Sequence, residues 1–457
     1  MLTNTCCLVY ITPNAIQWYD GMSRKVRIHV SSLDVGKVEK NASGDHSSTP
    51  FELAIMDDKR CTFVSQTEKG CLHDNEYLIF RNTHFVGEQM GVKITFIQEE
   101  KPNLITYVLF ENRSPGMVKS YILDDQRSLI GMIKVRHLII RPFQYAGVDS
   151  GSEPCPQFQM LIRKGIHVGH RGAGVDRRVD LSDKFLENTI SSLNYAVKSG
   201  ADMVEFDVHL SKDNVPILYH DFSVYVTLHK KDPQDHDTLE LPVKDLTYRQ
   251  LKLLKLGPER DSQKRLEFVD SDADDNQPFC SLEKALKNVS PCAFNVEIKY
   301  DTENPAYDDI NHFVDTILKI IFEYHNNRDI VISSFDPDVC VMAQMKQSKY
   351  PVLFLIDDIK KPMDVAGVET IPSIEMACYY ASAMNLSGVN CYAQNLITDK
   401  SLIRFVLSQG LILFCYGAHI NDRSIIEDLV KEGVHGLIYD KIDIISPKKH
   451  LESMIGN

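Results

Sequence analysis

The sequence predicts an α/β fold: a TIM-type (β/α)₈ barrel with a hairpin insertion, preceded by a small all-β, sandwich-like N-terminal domain. After residue 166, strand-like runs alternate with helical patterns in eight units over about 280 residues, the count and size of such a barrel. Before residue 143, short β-like runs follow one another without helix-length periodicity. Residues 205–221 add a strand, a polar turn and a second β-rich run.

Changes in composition divide the chain into four predicted segments. They are the all-β domain (1–145), a linker (146–163), the barrel (164–447) and a C-terminal tail (448–457). The linker is predicted from its Gly, Pro and Ser content, which is typical of domain boundaries. If this boundary is right, a chain lacking residues 1–143 should remain soluble.

The predicted strands of the N-terminal domain are short runs rich in β-branched and aromatic residues. They cover residues 25–30, 77–80, 92–97, 105–110, 120–123 and 133–140. Polar residues 41–49 are expected to form a loop. No motif in this domain identifies a protein partner.

The barrel prediction depends on eight candidate parallel strands with helical patterns between most of them. Seven of the strands cover residues 166–169, 293–299, 330–334, 352–356, 388–392, 411–416 and 436–439, and the eighth is the first run of the hairpin. Helices are predicted at 188–199, 245–256, 281–289 and 310–325, and a polar insertion at 232–240 and 261–277. A doubly wound sheet is the alternative fold, but it usually has fewer strands.

The hairpin places acids and a histidine on one rim. Glu205 and Asp207 lie two residues apart, so they share one face of the first strand. The turn at 211–214 is too short for a parallel crossover, which makes the pair antiparallel. Counting back from the turn puts His220 roughly opposite both carboxylates. Such a group indicates a cation site next to a proton donor.

Composition excludes several classes of protein. The net charge of −13 argues against nucleic acid or an anionic membrane as the main partner. No apolar run approaches the ~20 residues of a membrane-spanning helix, and the N-terminus lacks the basic segment of a secretory signal. The eleven cysteines include no C-x-x-C pair, which favours free thiols over disulfides or a zinc site. We therefore expect a cytoplasmic protein with no transmembrane segment.

Candidate site residues cluster where the predicted strands end, the rim at which barrel enzymes carry their active sites. Three carboxylates from two strands, with no cysteine, favour a hard cation: Mg²⁺ is the expected ion, with Ca²⁺ and Mn²⁺ as alternatives. Fixed positive charge beside such a cation suits a phosphoryl group. Two histidines could donate and accept protons. The candidates are His170, Arg171, Glu205, Asp207, His220, Glu297 and Lys299.

Taken singly, each candidate could be a structural ion pair or a hydrogen-bonded loop residue. A purely structural explanation has to place three acids, two histidines, an arginine and a lysine at strand ends by accident, so the pattern favours a functional site. Ser334 lacks the surroundings of a nucleophilic serine, and packing is its expected role.

Several motifs together resemble the glycerophosphodiester phosphodiesterase family, most closely its cytosolic glycerophosphocholine phosphodiesterase subfamily. The likeness covers about residues 166–442. Its motifs are His170-Arg171-Gly172, Glu187-Asn188-Thr189, Glu205-x-Asp207, His220-Asp221, Glu297-x-Lys299 and the run Gly-Val-His-Gly-Leu-Ile-Tyr-Asp at 433–440.

The resemblance implies metal-dependent hydrolysis of glycerophosphodiesters, glycerophosphocholine foremost, to sn-glycerol 3-phosphate and the alcohol, choline. It also implies a role for each candidate. Glu205, Asp207 and Glu297 would hold the metal, His170 and His220 would form the acid–base pair, and Arg171 and Lys299 would bind phosphate. We further expect Glu187 on the phosphate side, Asn188 as a helix N-cap, and Tyr416 and Phe335 as an aromatic face for choline.

The chain departs from the family pattern in three respects. Tyr416 stands where many members have Trp, and residues 439–442 are Tyr-Asp-Lys-Ile where many members have Thr-Asp-Arg-Pro; both bear on headgroup recognition. The subfamily's usual N-terminal starch-binding module is expected to be missing, because the chain has a single Trp, Trp18, and too little sequence before the β-rich region to hold it. Two other functions stay open: a phospholipase D- or C-like barrel acting on lysophospholipid, and a non-catalytic regulatory barrel.

Overall fold

The computed structural model describes most of the chain as an antiparallel sheet followed by a parallel barrel. The described residues are 2–21, 24–34, 50–74, 76–85, 90–99, 101–110, 114–145, 165–174, 185–229, 236–254, 277–301, 309–358 and 373–446. The predicted loop at 41–49, linker at 146–163 and tail at 448–457 lie outside them. The four segment boundaries therefore stay predictions.

The N-terminal region forms one sheet in which every pair of strands is antiparallel, which confirms the all-β prediction. Its order is β5-β4-β7-β1-β11-β10-β9-β8-β3-β6, with β2 on β11. The strands are β1 Cys6–Ile11, β2 Ile16–Trp18, β3 Val26–Asp34, β4 Glu52–Ile55, β5 Val64–Ser65, β6 Cys71–His73, β7 Leu78–Asn82, β8 Met90–Ile97, β9 Leu104–Leu109, β10 Gly116–Leu123 and β11 Leu129–Ile140. All six predicted strands are confirmed.

Sequence reasoning missed β1, at the centre of this sheet. Every residue of β1 is buried, so its sequence shows none of the polar alternation that marks a half-exposed strand. Cys7, Val9 and Ile11 pack into the sheet's own core. The alternate residues, Leu8 among them, pack into the core of the barrel. β1 is thus shared by both parts of the molecule.

The second part is a closed barrel of eight parallel strands, as predicted. The first strand closes it by pairing with both the second and the last. The eight strands are β12 Ile166–Gly169, β13 Met203–Leu210, β17 Ala293–Ile298, β18 Ile330–Ser334, β19 Val352–Ile356, β20 Gly388–Tyr392, β21 Ile412–Tyr416 and β22 Gly436–Tyr439. The intervening β14 Pro216–Leu218, β15 Ser223–His229 and β16 His236–Pro242 belong to the hairpin region.

Helices cover the outside of the barrel. They are α1 Ile190–Lys198, α2 Tyr248–Leu251, α3 Leu282–Asn288, α4 Ile310–Tyr324, α5 Pro337–Lys346, α6 Ile374–Ala383, α7 Ala393–Thr398, α8 Ser401–Ser408, α9 Arg423–Glu432 and α10 Ile442–Ile445. Among the described residues, no helix is both long and apolar enough to cross a bilayer. The predicted helix at 245–256 was wrong over 245–254, the part that the structure describes. This part forms the single turn α2 after a 3₁₀ turn, because Leu246 is extended and Thr247 starts a new capping box.

The predicted hairpin is confirmed. β13 and β14 are antiparallel, with Val208 opposite Leu218. Just past β14, the amide of Tyr219 donates to the carbonyl of Asp207, so His220 follows at the level of the two predicted acids. β15 and β16 form a second antiparallel pair, so residues 236–240 of the predicted insertion are a strand. Of the other predicted polar stretch, the structure describes Gln277 alone.

The sheet lies against the barrel through four adjacent strands, β4, β7, β1 and β11. Alternate residues of these strands, such as Ala54, Ile79 and Leu138, belong to the same buried cluster as the barrel helices. The backbone adds to this contact, since Asn311 at the start of α4 bonds to the amide of Arg141 and the carbonyl of Ile139. The two parts of the molecule therefore share a core.

Candidate active site

Three carboxylates from two neighbouring strands meet inside the barrel rim. Glu205 and Asp207 lie on β13, and Glu297 on β17 is in register with Asp207. Residues in register on adjacent parallel strands point to the same face, so the three side chains converge. All three are buried, and their ligand atoms lie within 4.8 Å of one another. The acids predicted from the sequence are thus brought together as a group that could hold a metal ion.

The electrostatics of this cluster fit a cation. Glu205 Oε1 is buried, and no described residue forms a hydrogen bond with it. Burial and the neighbouring charges of Asp207 and Glu297 raise the pKa of Glu205. For Asp207, burial acts in the same direction, but the charges of Lys299 and Arg171 outweigh it and lower the pKa. A hard divalent ion would satisfy the unpartnered oxygen and favour ionised Glu205.

Two basic side chains border the acids, as predicted. Lys299 Nζ is 2.9 Å from Glu297 Oε1 and 3.6 Å from Asp207 Oδ1. Burial alone would lower the pKa of Lys299, but these two carboxylates raise it, so the ammonium stays charged. Arg171 Nε is 3.4 Å from Asp207 Oδ2, and its Nη1 donates to Glu187 Oε1 at 2.9 Å. Glu187 therefore orients the guanidinium at the edge of the acid cluster.

The turn after β12 is packed tightly on helix α1. Gly172 has φ +87°, and a Cβ there would lie 2.5 Å from Ser192 Oγ. That hydroxyl donates to the carbonyl of Arg171 and accepts from the amide of Ala173. The amide of Arg171 in turn donates to Glu205 Oε2 at 2.8 Å. Glycine is needed here because no side chain fits between the turn and the helix.

Asn188 has a different role from the one predicted. The N-cap of α1 is Thr189, whose side chain accepts from the amide of Ser192, so the N-cap assignment of Asn188 was wrong. Asn188 is buried at φ +57° and donates to Asp207 Oδ2 at 2.9 Å. Its Oδ1 accepts from the backbone amide of Asp207. The side chain orients an acid of the cluster, and the order Glu-Asn-Thr does not reveal this.

His170 lies at the same rim and is held by Asp440, a residue that sequence analysis left out of the site. The His170 Nδ1 to Asp440 Oδ1 distance is 2.7 Å. Asn421 fixes the carboxylate by donating to Asp440 Oδ2 and accepting from its backbone amide. Burial alone would lower the pKa of His170, but the Asp440 hydrogen bond and the charge of Glu205 raise it. With Nδ1 engaged, Nε2 is the nitrogen that can exchange a proton.

His220 has a similar arrangement at the end of the hairpin. Its Nδ1 is 2.6 Å from Asp221 Oδ1. Its backbone carbonyl is 3.2 Å from Nε2 of the buried His209. Burial, followed by the charge of Lys299, lowers the pKa of His209 to about 4. His209 is therefore neutral near pH 7 and donates its Nε2 proton to that carbonyl.

Aromatic side chains line the remaining part of the rim. The rings of Phe335 and Tyr416 are 5.9 Å apart and nearly perpendicular, at 84°. Lys299 Nζ lies 5.8 Å from the centre of the Phe335 ring. Tyr392 extends the group, 5.8 Å from Tyr416, and the Tyr416 hydroxyl is 3.5 Å from Asp357 Oδ1. Tyr392 and Asp357, which sequence analysis did not single out, thus lie beside the predicted aromatic pair.

The fold and the rim chemistry define the class of protein: an eight-stranded parallel barrel whose rim carries a group of acids that could hold a metal ion. The family model of the glycerophosphoryl diester phosphodiesterases matches residues 170–444, and the chain belongs to that family.

Curated relatives agree with this assignment. The chain is 37% identical over 351 residues to the glycerophosphocholine phosphodiesterase of Homo sapiens, covering 72% of this chain and 51% of the relative. It is 32% identical over 428 residues to a putative homologue of that enzyme in Caenorhabditis elegans, covering 86% of this chain and 62% of the relative. The chain spans about half the length of the human relative.

Solved structures of similar fold include two from bacteria. One is a putative glycerophosphoryl diester phosphodiesterase from Silicibacter pomeroyi, with a TM-score of 0.48 and 18% identity over 65% of this chain and 97% of the other. The second is a phosphodiesterase from Oleispira antarctica in complex with its product sn-glycerol-3-phosphate. Its TM-score is 0.44, with 19% identity over 64% of this chain and 97% of the other.

Proposed function

We propose that the protein hydrolyses glycerophosphodiesters, with glycerophosphocholine as its preferred substrate, to sn-glycerol 3-phosphate and choline. The observation that carries this proposal is the buried acid cluster with one unpartnered carboxylate oxygen, bordered by two carboxylate-paired histidines. We place the reaction in the cytoplasm. The family and the human relative support the activity.

Glu205, Asp207 and Glu297 are the proposed ligands of a divalent ion, Mg²⁺. When bound, the ion supplies positive charge that polarises the phosphoryl group. Arg171 and Lys299 provide the rest of the positive charge from their places beside Asp207. A phosphodiester carries one negative charge and gains more as bonds form at phosphorus, so fixed cations favour the transition state over the ground state.

His170 and His220 are the proposed acid–base pair. The attacking hydroxyl, of water or of the glycerol moiety, passes its proton to one imidazole. The bond from phosphorus to the choline oxygen breaks, and that oxygen takes a proton from the other imidazole. Water gives sn-glycerol 3-phosphate directly, whereas a glycerol hydroxyl first gives a cyclic phosphate, which water then opens with the two imidazoles in reversed roles. The carboxylates at both Nδ1 atoms keep each Nε2 as the exchanging nitrogen.

The aromatic part of the rim suits a quaternary ammonium headgroup. A trimethylammonium ion is attracted to ring faces by cation–π interaction and donates no hydrogen bonds. Perpendicular walls such as Phe335 and Tyr416, with the carboxylate of Asp357 beside them, match that chemistry. Glycerophosphocholine therefore fits this site better than headgroups that need hydrogen-bonding partners.

The test is a substrate panel with metal-depleted protein. Glycerophosphocholine, glycerophosphoethanolamine, glycerophosphoinositol and lysophosphatidylcholine are offered with Mg²⁺, Ca²⁺ or Mn²⁺, and glycerol 3-phosphate and choline are assayed. We expect release from glycerophosphocholine with Mg²⁺, and a loss of about 10²–10⁴-fold in turnover for His170→Ala and for His220→Ala. Activity on lysophosphatidylcholine alone would favour the phospholipase reading. No release from any substrate with any ion would refute the proposal.

A further inference from the structure

A buried ion pair joins the N-terminal sheet to the barrel. Arg136 on β11 pairs with Asp338 in the first turn of α5, and their side chains are 7% and 1% exposed. The guanidinium also lies over the ring of Tyr10, 4.9 Å from its centre. A pair this deeply buried is costly to desolvate, so such pairs are weak evidence for stability alone.

Asp338, the barrel partner of this pair, lies three residues after Phe335, which belongs to the aromatic part of the rim. Phe335 directly follows β18, and Asp336 is the N-cap of α5, accepting from the amide of Val339 at 2.8 Å. The Ser334 hydroxyl accepts from the amide of Asp336 and donates to the carbonyl of Ile298. A shift of Asp338 would therefore be transmitted through one helical turn to Phe335.

The charge balance of this turn depends on the sheet. Asp336 and Asp338 are both buried within one turn. Burial and the charge of Asp338 raise the pKa of Asp336 to about 7, and Arg136 acts against that rise. Without the guanidinium, two buried carboxyl groups would face each other with no cation from the sheet, and the turn would rearrange.

We propose that Arg136 is a positioning residue through which the N-terminal sheet holds the turn at 335–338 and so fixes Phe335 next to Lys299. The sheet thereby sets the affinity of the barrel for its substrate. Arg136 itself touches no reacting atom. The statement about affinity rests on the proposed function, whereas the statement about the turn does not.

Two readouts on the full-length protein test the proposal with Arg136→Met. Hydrogen–deuterium exchange of residues 334–340 should speed up in the variant. For glycerophosphocholine, KM should rise about tenfold, equivalent to about 1.4 kcal/mol, while kcat stays within about twofold. The exchange readout needs no activity, so it separates failure of this proposal from failure of the proposed function.

Matched variants separate positioning from general stability. Arg141→Met removes a half-exposed ion pair with Asp309 at the same interface and should leave exchange at 334–340 and KM unchanged. In Arg136→Lys, which keeps a positive charge, KM should stay close to the wild-type value. Arg136→Met combined with Asp338→Asn should recover thermal stability, because the carboxylate that lost its partner is removed as well, yet keep the raised KM. Unchanged exchange and unchanged KM in Arg136→Met would overturn the proposal, as would a KM that returns to normal in the double variant.

Discussion

Asn188 shows how a single side chain prepares the acid cluster. Asn188 has a positive φ, and its side-chain amide forms two hydrogen bonds with Asp207. The amide therefore orients the Asp207 carboxylate. Partners behind metal ligands typically contribute 10- to 100-fold in affinity or activity.

Asn188→Gly should weaken Mg²⁺ activation by about 10- to 100-fold. Glycine tolerates the backbone conformation, so the variant removes the amide without adding strain. Titration of activity with Mg²⁺ measures the effect. Asn194→Ala, on the helix that follows Asn188 and bonded to the carbonyl of Asn288, should behave like the wild type. Equal Mg²⁺ dependence in Asn188→Gly and wild type would show that Asp207 needs no such support.

Asp440→Asn should change the pH profile of kcat/KM. The carboxylate raises the pKa of His170, so its removal lets that pKa fall and the proton is lost at lower pH. The limb of the profile that belongs to His170 should therefore move to lower pH. Asp221→Asn, which removes the carboxylate at His220 Nδ1, serves as the comparison and should leave the His170 limb in place. A profile that stays in place after Asp440→Asn would remove His170 from the proton transfers.

At the scale of elements, the sequence predicted strands wherever only one face is buried or turn residues mark both ends of the strand. The barrel strands are short β-rich runs between turn residues, and all eight were predicted. β1 was missed because both its faces are buried. The first residues of helices were harder to predict. Thr189 and Thr247 are N-caps because of side-chain hydrogen bonds that neighbouring polar residues could also have formed.

Gly388→Ala should be strongly destabilising because β20 and β21 approach closely at that point. An added Cβ would lie 2.1 Å from the carbonyl oxygen of Ile412, a backbone atom that cannot move without separating the strands. We expect a loss of about 3 kcal/mol or more in the free energy of unfolding, measured by urea denaturation. Gly410→Ala is the control: its φ is +72° but nothing lies within 4 Å, so it should cost only about 1 kcal/mol. Similar losses in both variants would contradict the close approach.

The site could be predicted only in part from sequence. Acids, histidines and basic residues at strand ends were recognisable because parallel strands bring their carboxyl ends to one rim. Asp440, Asn421 and Asp357 were not, because their contacts join loops far apart in the chain. Such partners become visible only when the barrel is closed.

At the scale of the whole molecule, the shared core changes the result expected of a deletion. The ring centre of Phe143 lies 6.1 Å from that of Phe322 on α4. The fully buried Lys346 of α5 donates to the carbonyl of Arg141. A chain lacking residues 1–143 would expose this apolar face and leave Asp338 without its partner.

We therefore expect the barrel without residues 1–143 to aggregate, where a boundary between independent domains would give a soluble product. Size-exclusion chromatography and thermal unfolding of the truncated and full-length proteins measure this. The full-length Arg141→Met variant should stay soluble, because its lost ion pair is half-exposed. A monomeric truncated barrel with full-length thermal stability would show that the sheet is dispensable for folding.

The rim of the barrel divides by strand. β12, β13 and β17 carry the charged groups, and β18 to β21 lead to the aromatic ones. In the proposed reaction, substitutions on the aromatic arc should therefore change which alcohol is released, while the charged arc keeps its groups in place. The leaving-group preference of this scaffold could then be altered without disturbing the acid cluster.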